Sequence, residues 1–243
     1  HIVDDETFNQ ADFLRRVRED SECPKSSCPS PEKYMEYFDK ADDIYVVTLS
    51  SHLSGSYNSA EVAKRMYLEK HPEKNICVFD SKSASAGQTL QAREIWKRAE
   101  SNMPFRQVVT EMRKYIDTMG TKFVLETLEM LRKNGRLSAM TALIINALNV
   151  KPVMTSDGNG QIEKVSQARG MKKAILKMVS AIAADAVDAK HRTLCISHCN
   201  NARRAAFVKK AIEDLHLFKN VMVTETGGVS SLYAADGGIV VAY

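Results

Sequence analysis

The strongest constraint on the fold is an alternation of two periodicities. The apolar run "IYVVTLS" (44–50) reads as a buried strand, and the following residues 57–70 carry Tyr57, Ala60, Ala63 and Met66 at helical spacing. "NICVFD" (75–80) is a second strand, followed by a helix through Ile95 and Trp96. Pro104 then opens another helix with Phe105, Val108, Met112, Tyr115 and Met119 along one face. Strands separated by helices of this length need crossover connections, which predict a parallel sheet covered on both faces.

After Gly120 the pattern changes. "KFVLET" is followed by a short amphipathic stretch, a "KNGR" turn (133–136) and an apolar helix around "ALIINAL". Two extended runs flank Asp157-Gly158-Asn159-Gly160, a strong hairpin signal. Then come a long helix from about Gly170, the strand "RTLCISH", a helix from about Ala202, and the strands "VMVTET" and "GGIVVAY". A mixed sheet with helices on one side fits this half. The expected organisation is therefore α/β in two domains: residues 1–120 with a parallel sheet and residues 121–243 with a mixed sheet. The opening "HIVDDETFNQADFLRRV" has no core strand before its first helix, so the first domain is expected to lack its first strand.

Basic side chains exceed acidic ones by 34 to 30, too small a bias to imply nucleic acid or an anionic membrane. Arg203-Arg204 and Lys209-Lys210 lie on a helix-like stretch and read as a solvated face. No apolar run reaches the ~18–20 residues that span a bilayer. No leader pattern opens the chain, and the expected location is the cytoplasm. Five scattered cysteines (23, 28, 77, 195 and 199) argue for reduced thiols rather than a disulfide framework. "CISHC" brings Cys195, His198 and Cys199 close in sequence, but a strand there would point alternate side chains apart, and no metal site is expected.

In an open α/β sheet, ligands gather where strand ends meet helix N-termini. Three loops of that kind are rich in hydroxyls: "PKSSCPSPEKY" (24–34), "SSHLSGSYN" (50–58) and "DSKSASAGQ" (80–88). Small side chains and a helix dipole favour a carboxylate or phosphate. The competing reading is plain capping, because Ser30 before Pro31, and Ser54 or Ser56 before the next helix, are ordinary cap residues. A serine nucleophile lacks support: G-x-S-x-G is absent, and His52 is too near Ser54 in sequence to be taken as its base. Neither G-x-G-x-x-G after a strand nor G-x-x-x-x-G-K-[ST] occurs. Arg136 in "NGRLS" and Arg169 in "SQARGMKK" each stand next to a glycine, where a guanidinium can reach an anion or form a structural ion pair.

Taken together, "PKSSCPSPEKY", "VVTLSSHLSGSYNSA", "VFDSKSASAGQ", "LRKNGRLSAMTALIINALNVKPVM", "GQIEKVSQARGMKKA" and "TGGVSSLYAADGGIVVAY" resemble, in order and spacing, the DegV family of bacterial fatty-acid-binding proteins. The resemblance implies two α/β domains with a long-chain fatty acid such as palmitate between them, its tail in an apolar tunnel. It implies a carrier rather than an enzyme, with no cofactor, and a fatty-acid kinase as a possible partner of some members. The alternative is an enzyme acting on a small phosphorylated or carboxylated substrate held by the same loops.

Residue by residue, the threonine of the family's T-S-Q-P-S motif is matched by Ser26, and the serine of L-S-G by Ser54. Both are expected to bind the carboxylate. Ser27, Gly55, Arg169 and Tyr233 are the expected head-group neighbours, whereas Ser50, Ser51 and Ser56 mainly shape their loop. Two departures stand out. Serine at 26 keeps the hydroxyl but loses a methyl that restricts its rotamer. Tyr233 stands where kinase-partner members carry a histidine, removing a group that titrates near neutral pH. Family members also begin with a strand ending in Asp-Ser that this sequence does not contain. A parallel sheet without it has an unpaired edge.

Overall fold

The computed structural model describes residues 2–20, 22–137 and 149–243. The expected apolar helix around "ALIINAL" lies outside these residues.

Two sheets organise the chain. β1 (Asp43–Thr48) and β2 (Asn75–Asp80) run parallel in register, from Asp43 opposite Asn75 to Thr48 opposite Asp80. The second sheet joins β3 (Thr121–Val124), β4 (Val150–Ser156), β5 (Ile162–Arg169), β6 (Thr193–His198), β7 (Asn220–Glu225) and β8 (Ile239–Ala242). Its order is β5-β4-β3-β8-β6-β7, with β6 and β7 parallel and the other neighbours antiparallel. The hairpin read at Asp157–Gly160 joins β4 to β5. The Asp157 carboxylate accepts the N–H groups of Asn159 and Gln161 at 2.9 and 2.8 Å, which closes the turn.

The helices are α1 (Gln10–Glu19), α2 (Pro31–Phe38), α3 (Ser56–Leu68), α4 (Ala86–Glu100), α5 (Phe105–Asp117), α6 (Glu129–Lys133), α7 (Met171–Asp185), α8 (Ala202–Glu213) and α9 (Gly228–Ala234). Ser30 caps α2 as its sequence suggests, accepting the N–H of Lys33, with Pro31 at the first helical position. In α5 the predicted stripe is buried at Val108 and Met112; Phe105 and Tyr115 are only half-buried, Ile116 completes the buried face, and Met119 lies beyond the helix end. In α3 the buried face is Ala60, Ala63 and Tyr67, while Met66 is exposed. Steps of three residues drift by about 60° per step around a helix of 3.6 residues per turn, so a four-residue step to Tyr67 keeps the face. Trp96 on α4 is also exposed, and Ile95 is the residue that packs.

Alternate residues of the six-stranded sheet feed two cores. Val124, Val153, Leu194, Ile196, Ile239 and Val241 face α7 and α8. Phe123, Met154, Cys195, Val240 and Ala242 face the other way, against Phe13 and Leu14 of α1, Ala86 and Leu90 of α4, and Leu232 and Ala234 of α9. The helices of the second half that were expected on one side are α7 and α8. Its opposite face is covered by α9 together with α1 and α4, which precede residue 120. Each fully buried aliphatic or Met side chain stabilises this packing by about 1.5–3 kcal/mol. Arg204, read as part of a solvated face, instead donates to Glu126 at 2.6 Å, and Lys151 binds the other carboxylate oxygen at 2.8 Å. Burial alone would raise the Glu126 pKa, but these two cations more than offset it and hold the group below its usual value.

Candidate functional site

Four segments meet beside the core that contains Phe123, Leu131 and Leu232. The first is the loop from Cys23 to Ser30, between α1 and α2. Its carbonyls are tied down: Asn134 Nδ2 donates to Pro24 O at 3.3 Å, and Ser59 Oγ donates to Pro29 O at 2.6 Å. The half-buried Ser26 Oγ lies 3.0 Å from the Tyr233 hydroxyl. Ser27 and Cys28 are exposed.

The second segment follows β1. Ser50 is buried and fully occupied: its N–H donates to Ser83 O at 2.9 Å and its hydroxyl donates to Gly160 O at 2.8 Å. The Ser51 N–H donates to the Asp80 carboxylate. Ser54 Oγ accepts the Ser56 N–H at 3.2 Å and lies 2.9 Å from Ser56 Oγ, so it satisfies an orphan donor of α3 while staying half-buried. Gly55 approaches the first loop so closely that a Cβ there would sit 3.3 Å from Cys28 Sγ. Burial pushes the Tyr34 phenol up in pKa, partly offset by the nearby Ser56 hydroxyl.

The third hydroxyl loop takes a different part. Ser81 donates to Ser83 O at 2.9 Å, Ser83 Oγ pairs with Thr121 Oγ1 at 2.7 Å, and Gln91 Nε2 donates to Ser81 O at 2.8 Å. These hydroxyls are consumed internally and fasten β2 to β3.

The remaining segments are the turn after α6 and α9. Arg136 Nε donates to Leu53 O at 3.2 Å, one residue before Ser54, and its guanidinium lies 5.9 Å from the Tyr233 ring centroid. Tyr233 is presented by α9, and α9 is clasped from the start of the chain. The Asp4 carboxylate accepts the N–H groups of Gly228 and Val229 at 2.6 and 2.8 Å. Gln10 Nε2 donates to Thr226 O at 2.9 Å and to Ser231 Oγ at 3.1 Å, while its carbonyl accepts the Asn200 N–H at 2.9 Å. Neither α9 nor this clasp is legible from local sequence, because its donors and acceptors lie far apart along the chain.

Ser26, Ser54, Gly55 and Tyr233 are thus linked through a continuous set of contacts, with Arg136 bridging them. Arg169 is placed apart from that set: it is exposed at the end of β5, opposite Val150, and no hydrogen bond joins it to Ser26, Ser54 or Tyr233. The site borders an apolar interior, since Tyr233, Leu137 and Met130 pack against the cluster containing Leu128, Leu131 and Leu232. A cavity of about 200 Å³ is lined by Leu125 and Leu128 of that cluster together with Glu126, Thr127 and residues 149–152. Elsewhere, all five cysteines are free thiols, and burial raises the Cys195 pKa to about 11. Cys23 and Cys28 belong to the Ser26 loop, whereas Cys195, His198 and Cys199 belong to β6 and its end.

Fold and site together define a two-sheet α/β protein that gathers hydroxyl groups and one guanidinium at the rim of an apolar core. The chain belongs to the DegV family, whose model, described as an uncharacterised protein family, matches residues 1–243. A DegV domain-containing protein of Streptococcus gordonii is 32% identical over 244 residues, covering 100% of this chain and 85% of that one. Among solved structures, a DegV family protein of Ruminococcus gnavus refined with vaccenic acid is 46% identical, with a TM-score of 0.93 over 99% of this chain and 86% of its own. The Streptococcus pneumoniae Fatty Acid Kinase (Fak) B3 protein loaded with linoleic acid is 30% identical, with a TM-score of 0.94 over 100% of this chain and 85% of its own.

Proposed function

We propose that this protein binds a long-chain fatty acid and carries it without transforming it, presenting the acid to a fatty-acid kinase. The observation that carries this reading is the Ser26–Tyr233 contact at the rim of an apolar core, joined through Arg136 to the loop that holds Ser54. The similarity to proteins solved with vaccenic and linoleic acid supports the same ligand class. In this reading Ser26 and Ser54 donate to the carboxylate, and Tyr233 orients Ser26. Ser27 and Gly55 let the loops approach the head group, and Arg136 supplies positive charge. Arg169 stands as an outer neighbour on the β5 side. The acyl chain runs in an apolar tunnel between residues 1–120 and 121–243.

The energetics suit a carrier. Burying ~14 methylenes at about 0.8 kcal/mol each yields roughly 11 kcal/mol before entropic losses, so the tail dominates affinity and a few hydroxyls select the carboxylate. Such a protein needs neither a general base nor a cofactor. No helix among the described residues is long and apolar enough to cross a membrane. We place the carrier in the cytoplasm, where its free thiols stay reduced.

Native mass spectrometry of the purified protein tests the reading. It is expected to show a retained mass matching a long-chain fatty acid, and delipidated protein is expected to take up palmitate. Delipidated protein that takes up no fatty acid refutes the proposal.

A further inference from the structure

Among the described residues the six-stranded sheet ends on two edges, β5 and β7. An edge strand leaves a row of backbone N–H and C=O groups without a partner strand, and proteins usually blunt such edges with bulges, charges or proline. β5 is blunted in two of these ways. Its register against β4 shifts between Val153 and Met154, and its exposed residues include Glu163, Lys164 and Arg169.

β7 has neither protection. From Asn220 to Thr224 it carries no charge and no proline, and its register against β6 runs unbroken from Asn220 to Glu225. Val223 is 40% exposed, and Val221, Met222 and Thr224 are half-buried. Among the described residues β6 and α8 are the elements that pack closely on β7, so its outer edge is open.

The charges sit at its two ends. Lys219 immediately precedes β7 and Glu225 closes it, and both are exposed. Among the described residues neither takes part in an ion pair. Each lies three residues from Met222, one on either side. The stretch is therefore complementary to itself. When two copies align antiparallel with Met222 opposite Met222, Lys219 of each faces Glu225 of the other, Val221 faces Val223, and Asn220 faces Thr224. Opposite charges and β-branched pairs directly across an antiparallel ladder are favourable. A slip of one residue separates both charge pairs. Parallel alignment in register sets Lys219 against Lys219 and Glu225 against Glu225, which is unfavourable.

We propose that β7 pairs with β7 of a second copy of this chain, antiparallel about a twofold axis at Met222, joining two six-stranded sheets into one. A twofold contact uses the same surface on both copies and closes, so assembly stops at a dimer. Pairing of β7 with β5 of the next copy would propagate into filaments, and the shifted register and charges of β5 oppose it.

Sedimentation velocity over a concentration series tests the proposal. The wild type is expected to pass from monomer to dimer as concentration rises, and to associate less tightly as salt rises. Val223→Lys puts a charge in the middle of the open edge and should abolish the dimer. Lys219→Glu and Glu225→Lys each set like charges opposite one another at both ends, and each should weaken association about tenfold. The double exchange Lys219→Glu/Glu225→Lys reverses both pairs and should restore association to within about threefold. Urea unfolding checks that each variant is folded, and the charge exchange decides the matter if Val223→Lys is not. The proposal is overturned if the wild type stays monomeric up to about 1 mM, if folded Val223→Lys dimerises as the wild type does, if the double exchange fails to recover what the single changes lose, or if association continues past the dimer.

Discussion

Replacing Ser54 with alanine separates two tasks that one hydroxyl performs. In the free protein, Ser54 Oγ accepts the Ser56 N–H at 3.2 Å at the start of α3. Losing a side-chain acceptor at a helix N-terminus costs about 0.5–2 kcal/mol of stability. In the bound protein the same hydroxyl is proposed to donate to the carboxylate, and a hydrogen bond to a charged group contributes about 1.5–3 kcal/mol. At 1.4 kcal/mol per tenfold, Ser54→Ala should weaken fatty-acid affinity by roughly tenfold to hundredfold. Ser56→Ala is the matched comparison: Ser56 is buried, shares its hydroxyl with Ser54 at 2.9 Å, and has no proposed contact with the ligand. It should lower stability by about 1 kcal/mol and leave affinity within about threefold. Displacement of a fluorescent fatty acid measures affinity, and urea unfolding of the delipidated proteins measures stability. Equal affinity losses in the two variants would refute the assignment, because the loss would then follow the damaged loop rather than a missing donor.

Two further outcomes follow from the structure. Gly160 has φ +94°, and a Cβ there would lie 2.4 Å from Ser50 Oγ and 2.9 Å from Lys82 Cα. Gly160→Ala should therefore destabilise the protein by more than about 1 kcal/mol in urea unfolding, and an unchanged midpoint would contradict the packing of the β4–β5 turn on the Ser50 loop. Glu126 has a folded pKa below the ordinary 4.5, set against burial by Lys151 and Arg204. As pH falls, the unfolded chain takes up this proton first, so the stability it contributes above that ordinary value is lost as pH falls through the lower folded value. Glu126→Gln should flatten that part of the stability profile, and an unaltered slope below pH 4.5 would show that the carboxylate is not held by its two cations.

What the sequence made legible was mainly local. The strands "IYVVTLS" and "NICVFD", the Pro31 and Pro104 helix starts and the Asp157–Gly160 turn are each specified within a few neighbouring residues, and each is found where expected. The hydroxyl loops were legible as a group but not individually. Whether Ser83 faces a ligand or Thr121 depends on a strand that lies beyond the next two helices. Arg136 stood out as an anion-reaching residue, but its position against Tyr233 depends on α9. That helix has only seven residues and little amphipathic pattern, so its placement rests on Asp4 and Gln10 rather than on its own sequence. Arg204 shows the same limit, since a basic residue on a helix face reads as solvated until an acid from another element, here Glu126, comes against it.

The clasp on α9 also sets the order in which the site can come into being. Asp4 and Gly228 are 224 residues apart in the chain, and Ser26 and Tyr233 are 207 apart. Contacts of such long range form late, because closing the loop between them must precede any gain from the contact. During synthesis the Ser26 and Ser54 loops leave the ribosome well before Tyr233, so a nascent chain presents these hydroxyls without the phenol that Ser26 contacts. The proposed fatty-acid site is completed only when the segments around Asp4 and Gly228 have met.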